Sequence, residues 1–209
     1  MDTIIITDGD ITYAAQLINS GKLVAVPTET VYGLSADGLC ESAVEDIYNV
    51  KGRPETKPIS LLVSDMESVQ NFCTDIPKEA YILAEKFWPG PLTMILKKSS
   101  IVPDIVTACG NTVGVRCPAH PLTLELLKKC GKPLATPSAN ISGMPSPKNA
   151  GDVMAYFEGK IPCVIDGGEC SVGIESTIVD MTSTPPKILR QGGLSKTDIE
   201  NALKAEVLI

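Results

Sequence analysis

Glycine and proline interrupt this chain at close intervals. The 209 residues include 17 Gly and 16 Pro, and these sit at the ends of short apolar runs instead of gathering in one linker. A chain broken this often cannot form a coiled coil. It must fold as many short elements whose apolar sides meet in a common core. No run approaches the roughly 20 apolar residues of a membrane span. Hydrophobic residues make up 44% and charged residues 21%, which is ordinary for a globular chain. The length fits one domain, 1–209, with no internal repeat or evident boundary.

A chain of this size buries about 70% of its unfolded surface, so it needs no disulfide or metal to hold it together. The seven cysteines are odd in number and none forms a Cys-x-x-Cys pair. They read as reduced, mostly buried thiols in a reducing compartment. Met1-Asp2-Thr3-Ile4 has neither the basic start nor the long apolar run of a secretory leader. A cytoplasmic location away from membranes is expected.

The spacing of apolar residues predicts the elements. Strands are expected at Ile4–Thr7, Leu23–Val26, Pro58–Val63, Leu92–Leu96, Thr112–Arg116, Leu134–Thr136, Cys163–Asp166, Ser176–Met181 and Lys187–Leu189. Leu23-Val24-Ala25-Val26 is apolar without alternation, as in a strand buried on both faces. Helices are expected from Asp10, which caps the first, to Gly21, and over 41–50, 65–72, 78–87, 121–129 and 148–157. A last helix opens at Ser195, where Asp198 completes a variant capping box. Strands and helices do not alternate strictly. The reading is an α+β fold around one twisted, mixed sheet.

Several chemistries are excluded. The chain has no P-loop, no Gly-x-Gly-x-x-Gly after a strand and no Gly-x-Ser-x-Gly elbow. A single histidine, His120, rules out a His-rich metal site and leaves little room for a triad. The net charge of −7 argues against a protein that coats nucleic acid. What remains is a set of polar loops that follow apolar strands: Thr28-Glu29-Thr30 with Tyr32; Lys51, Arg53 and Lys57; Thr112 and Arg116; Thr136, Ser138 and Asn140; Ser146; Glu175-Ser176-Thr177; and Arg190. Clustered Lys and Arg suit a polyphosphate, and short hydroxyl and amide side chains suit a small polar ligand. On the Thr112–Arg116 strand, Gly114 shares a face with Arg116 and is expected to leave room beside it.

Together these loops are more specific than any one. Pro27-Thr28-Glu29-Thr30-Val31-Tyr32-Gly33-Leu34, Lys51-Gly52-Arg53-Pro54, Trp88-Pro89-Gly90-Pro91-Leu92-Thr93, Val115-Arg116-Cys117-Pro118, Pro137-Ser138-Ala139-Asn140-Ile141-Ser142-Gly143, Glu175-Ser176-Thr177-Ile178 and Leu189-Arg190-Gln191-Gly192 follow in one order. In these motifs the chain resembles the YrdC-type threonylcarbamoyl-AMP synthases, in their short, single-domain form. The resemblance implies a twisted, mostly antiparallel sheet with flanking helices and a large concave cavity. It implies that L-threonine, bicarbonate and ATP, with Mg²⁺, give threonylcarbamoyl-adenylate and pyrophosphate. It also implies a partner complex that moves the threonylcarbamoyl group to tRNA. Carried over by motif, Thr30, Arg116, Thr136 and Ser176 are the threonine-binding set. Arg53, Lys57, Thr112, Ser138, Asn140, Ser146 and Arg190 are the ATP-binding set, and Lys51 and Arg53 the catalytic cations. No metal ligand of the protein is implied.

One position departs from the pattern. Many members carry histidine where this chain has Leu62. Two alternatives follow from the same fold. One is an RNA-binding module for tRNA or double-stranded RNA, which the acidic charge and the isolated Tyr32 and Trp88 disfavour. The other is a paralogue making a different carbamoyl-adenylate.

Overall fold

A computed structural model describes residues 2–7 and 9–209; Met1, part of the N-terminal reading, lies outside them. In chain order the elements are β1 (Ile4–Ile6), α1 (Thr12–Asn19), β2 (Val24–Val26), β3 (Gly33–Asp37), α2 (Glu41–Lys51), β4 (Leu61–Leu62) and α3 (Met66–Val69). They continue with β5 (Cys73–Thr74), α4 (Lys78–Phe87), β6 (Leu92–Lys98), α5 (Asp104–Thr107), β7 (Thr112–Arg116) and α6 (Pro121–Cys130). The last are β8 (Leu134–Ala135), α7 (Ala150–Phe157), β9 (Cys163–Ile165), β10 (Thr177–Asp180), β11 (Lys187–Arg190) and α8 (Lys196–Leu203).

The strands form one mixed sheet in the order β1-β9-β2-β3-β8-β4-β7-β6-β10-β11, with β5 paired to β6. Among the described residues six strand pairings are antiparallel and four parallel. The expected α+β architecture is present.

Alternation along the strands divides the interior in two. Ala25, Leu34, Ala36, Leu61, Met94, Val113, Val115, Ala135 and Val164 join a large core with α2, α4, α7 and α8. Val24, Val26, Leu62, Leu134, Cys163 and Ile165 point the other way, into a smaller core with Ile11, Ala14 and Ile18 from the α1 region and Leu126 and Leu127 of α6. The β2 strand is buried on both faces, as its unbroken apolar run predicts. The second face is only partly covered, because α1 and α6 pack there as a pair over one end of the sheet.

Other helix ends follow their sequence signals. The Ser195 hydroxyl accepts from the Asp198 N–H and the Asp198 carboxylate accepts from the Ser195 N–H, a complete capping box. At α1 the cap position is Ile11, which has no side-chain cap; Asp10, one residue earlier, still accepts from the Thr12 N–H at 2.9 Å.

Four expectations need correction. Gly33 and Leu34, read as the end of the polar loop that starts at Pro27, instead open β3, a buried strand between β2 and β8. Its small residues carry no β-branched signal because of what they pack against. A side chain at Gly33 would collide with the Thr136 methyl group. The expected strand over 58–63 forms a ladder only at Leu61–Leu62, and the expected helix over 65–72 shrinks to Met66–Val69. The short α5 and β5 had no distinct signal. Finally, the space beside Gly114 is not left open for Arg116: a Cβ there would lie 2.6 Å from the Ser60 hydroxyl, which fills it.

Gly33→Ala forces Thr136 out of place in a closely packed sheet, and should lower stability by roughly 1–3 kcal/mol. Urea unfolding measures this directly; an unchanged midpoint would contradict the close approach.

Candidate active site

Where α1 and α6 end, the exposed half of the second sheet face becomes the floor of a cavity of about 220 Å³. Ser60, Leu62, Thr93, Arg116, Thr136 and Ile178 line it, each adjacent in sequence to a strand residue that packs into the large core or its ladder. The loop after β2 supplies Thr28, Thr30, Val31 and Tyr32, and the loop after β8 supplies Pro137 and Ser138. Arg53, Glu175, Ser176 and Arg190 complete the wall. Seven of the residues named from sequence therefore meet around one space: Thr30, Arg53, Arg116, Thr136, Ser138, Ser176 and Arg190.

Part of the lining is rich in hydroxyls. The Thr28 Oγ1 lies 2.9 Å from the Thr30 Oγ1 and donates to the Val31 carbonyl, while the Thr30 and Val31 N–H groups donate to it. This compact turn folds the loop back toward the sheet. Thr136 Oγ1 is 2.8 Å from Ser35 Oγ, and Ser176 Oγ is 2.8 Å from Thr93 Oγ1. Arg116 stands among them, 7% exposed. Its Nε donates to the Gly90 carbonyl at 3.2 Å, and its Nη2 is 2.8 Å from Glu29 Oε1. That second contact is an ion pair whose angle does not meet hydrogen-bond geometry. Glu29 Oε2 also accepts from the Ala119 N–H at 3.0 Å. The Trp88-Pro89-Gly90-Pro91 turn connects α4 to β6, and its Gly90 carbonyl holds the arginine. Leu62 pairs in register with Arg116 and lies on the floor, so the position that departs from the resemblance presents an apolar surface to the cavity.

The lining carries two more arginines. Arg53 Nε and Nη2 donate to the Lys57 and Pro58 carbonyls, and Arg190 grips the Ser176 carbonyl with Nε and Nη2 at 3.1 and 2.8 Å. Among the described residues Glu175 is the one carboxylate on the wall. The Ser146 hydroxyl donates to it at 2.7 Å and holds its carboxyl below the usual range.

Five of the expected residues do not line the cavity. Lys51 is 1% exposed, with Nζ donating to the Ser138 and Asn140 carbonyls. Burial, aided by the nearby Arg53 charge, lowers its pKa to about 7. Asn140 is buried, its Oδ1 accepting from the Ser138 hydroxyl and its Nδ2 donating to the Ile141 and Met144 carbonyls. These two residues shape the loop that presents Ser138. Ser146 reaches the wall only through Glu175. Lys57 is exposed and contributes its carbonyl to Arg53. Thr112 begins the strand that Arg116 ends, about 13 Å away.

Glu29, Ser35, Ser60 and Thr93 had been given no role from sequence. Glu29 and Thr93 lay inside the quoted motifs, but nothing in their spacing said that one would pair with Arg116 and the other with Ser176. Ser60 was legible by alternation with Leu62 once the strand was placed.

A family model for Sua5, YciO and YrdC proteins, described as "Telomere recombination", matches residues 16–192. The chain is 49% identical over 198 residues to a threonylcarbamoyl-AMP synthase of Pyrococcus abyssi, covering 95% of this chain and 58% of that protein. It is 41% identical over 200 residues to a threonylcarbamoyl-AMP synthase of Bacillus subtilis, with the same coverage of 95% and 58%. The chain thus spans a little under three-fifths of the length of these relatives. Among solved structures, P. abyssi Sua5 complexed with L-threonine superimposes with a TM-score of 0.95 at 47% identity, over 98% of this chain and 62% of that one. Escherichia coli YciO shares the fold, with a TM-score of 0.82 at 23% identity over 92% of this chain and 96% of that one. With the sequence match, the fold and the cavity in agreement, the chain belongs to the Sua5/YciO/YrdC family.

Proposed function

We propose that this chain condenses L-threonine, bicarbonate and ATP into L-threonylcarbamoyl-adenylate, releasing pyrophosphate, for threonylcarbamoyl modification of tRNA. The observation that carries this reading is the meeting of two unlike sets of side chains in one cavity. The hydroxyls of Thr30, Thr136 and Ser176 and the guanidinium groups of Arg53, Arg116 and Arg190 line the same space. Relatives that share this chain's sequence are named threonylcarbamoyl-AMP synthases, and one was crystallised with L-threonine.

On this reading the threonine carboxylate binds the Arg116 guanidinium, and Thr30, Thr136 and Ser176 orient the amine and the side-chain hydroxyl. The amine adds to bicarbonate, water is lost, and a carbamate forms. A carbamate oxygen then attacks the α-phosphorus in line, and the bond from that phosphorus to the bridging oxygen breaks as pyrophosphate leaves. Arg53 and Arg190 stabilise the charge that builds on the departing phosphates. No covalent enzyme intermediate is needed, so catalysis is positioning and fixed electrostatics. ATP enters as its Mg²⁺ complex. The ion is carried on phosphate and water. The product is a reactive mixed anhydride, consumed by a tRNA-modifying partner complex in the cytoplasm. Among the described residues no helix is long and apolar enough to cross a membrane.

Lys51 acts here through the loop it holds. A neutral amine keeps two N–H donors, so both carbonyl contacts survive loss of the proton.

Purified protein with Mg²⁺·ATP should release pyrophosphate only when L-threonine and bicarbonate are both present, with the adenylate visible by mass spectrometry. Release without threonine would point instead to the paralogue reading. Arg53→Ala should cut this release by roughly 100-fold or more while the fold is kept; a near-normal rate would remove Arg53 from the mechanism. Lys51 provides a separate test through pH. Its folded pKa lies below that of the unfolded chain, so the unfolded state binds the extra proton between about pH 7 and the ordinary lysine value. Stability should therefore rise across that window in the wild type relative to Lys51→Met. Parallel pH profiles would show that Lys51 stays charged.

A further inference from the structure

We propose that Glu29 sorts the ligands of the cavity by charge, reserving Arg116 for a zwitterionic amino acid and leaving Arg53 and Arg190 to phosphates. The inference rests on the function proposed above for what each arginine receives.

Three arginines line the cavity, and their partners differ. Arg116 has a carboxylate 2.8 Å from Nη2, with both side chains more than nine-tenths buried. Arg53 and Arg190 make no ion pair among the described residues; their N–H groups go to carbonyls and a hydroxyl. Carbonyl oxygens orient a guanidinium but leave its net charge in place, whereas a carboxylate cancels it. Arg190 Nη2 donates to the Ser176 hydroxyl, which lies 2.8 Å from the Thr93 hydroxyl of β6, and β6 pairs with the β7 strand that carries Arg116. With the Glu29 charge absent, an incoming polyphosphate would find a third uncancelled guanidinium in the same cavity.

Glu29 is built for this task. The Ala119 N–H holds Oε2 from the far side, and the backbone of Glu29 itself accepts from the Val172 N–H at 2.8 Å. Nε of Arg116 is fixed on Gly90, while Nη1 has no partner among the described residues. A zwitterion adds no net charge to this neutral pair, and its carboxylate can take Nη1. A free phosphate would add two or more negative charges beside the Glu29 carboxylate.

The test separates charge from shape. Glu29→Gln keeps the length and the acceptor for Ala119 but removes the charge. Glu29→Asp keeps the charge but falls one methylene short. Pyrophosphate is titrated calorimetrically into each protein, with and without saturating L-threonine. In wild type and E29D, pyrophosphate and threonine should bind together without competing. In E29Q, pyrophosphate should bind roughly 10-fold or more tighter and compete with threonine. The double variant E29Q/R116Q, neutral like the wild-type pair, should return pyrophosphate affinity to the wild-type value. It decides the matter even if E29Q does not fold, because a drop in its pyrophosphate affinity would place Arg116 in the phosphate site and overturn the proposal. Equal effects of E29Q and E29D, or none from E29Q, would overturn it too, since either leaves Glu29 a purely structural role. A wild-type chain that binds pyrophosphate but not L-threonine would defeat the proposed function instead, and the pyrophosphate titrations alone would then judge Glu29.

Discussion

The contact between Glu29 and Arg116 is the constraint around which the cavity is arranged. Removing two charges from water costs several kcal/mol per ion even after relaxation, and the cost is offset only when further polar contacts hold both partners. The chain supplies those contacts from separate places. Gly90, in the turn between α4 and β6, takes Nε of the arginine, and Ala119, just after β7, donates to the glutamate. One ion pair thus ties together the loop after β2, the turn before β6 and the loop after β7. Replacing either member alone would leave a buried charge without a counterion, a far larger disturbance than losing a surface salt bridge.

The pair lies where it does because the sheet is covered unevenly. Four helices close one face completely enough to form the large core. On the other face α1 and α6 cover one end, and the strands beyond them turn serine, threonine and arginine toward open space. The rule of alternation that buries Leu61 and Val115 aims Leu62 and Arg116 into the cavity. Core and site are two sides of the same strands, so a shift of register by one residue would exchange them.

Much of this was legible beforehand. Apolar runs located β2, β7, β9 and most helices, because each element carries a clear period or a clear stop signal. The polar loops at strand ends named ten of the cavity residues, and seven of these were assigned a site role. The sequence was mute where a contact with something distant decides the structure. Nothing local marks Gly33 to Asp37 as a strand, since Gly33 answers to Thr136, just past the end of β8. Nothing local shows that Lys51 turns inward to two carbonyls of the 138–140 loop while Arg53, two residues on, reaches the cavity. Glu29 was visible only as one polar residue among several, because its meaning depends on a partner 87 positions away.

The account holds that the Glu29–Arg116 pair keeps one arginine of the cavity for the amino acid and leaves Arg53 and Arg190 to the phosphates. A crystal structure with L-threonine and a non-hydrolysable ATP analogue bound together tests this most directly. It should show the amino-acid carboxylate on Arg116 and the phosphates between Arg53 and Arg190. Phosphate oxygens seated on Arg116, or threonine bound away from it, would contradict the account.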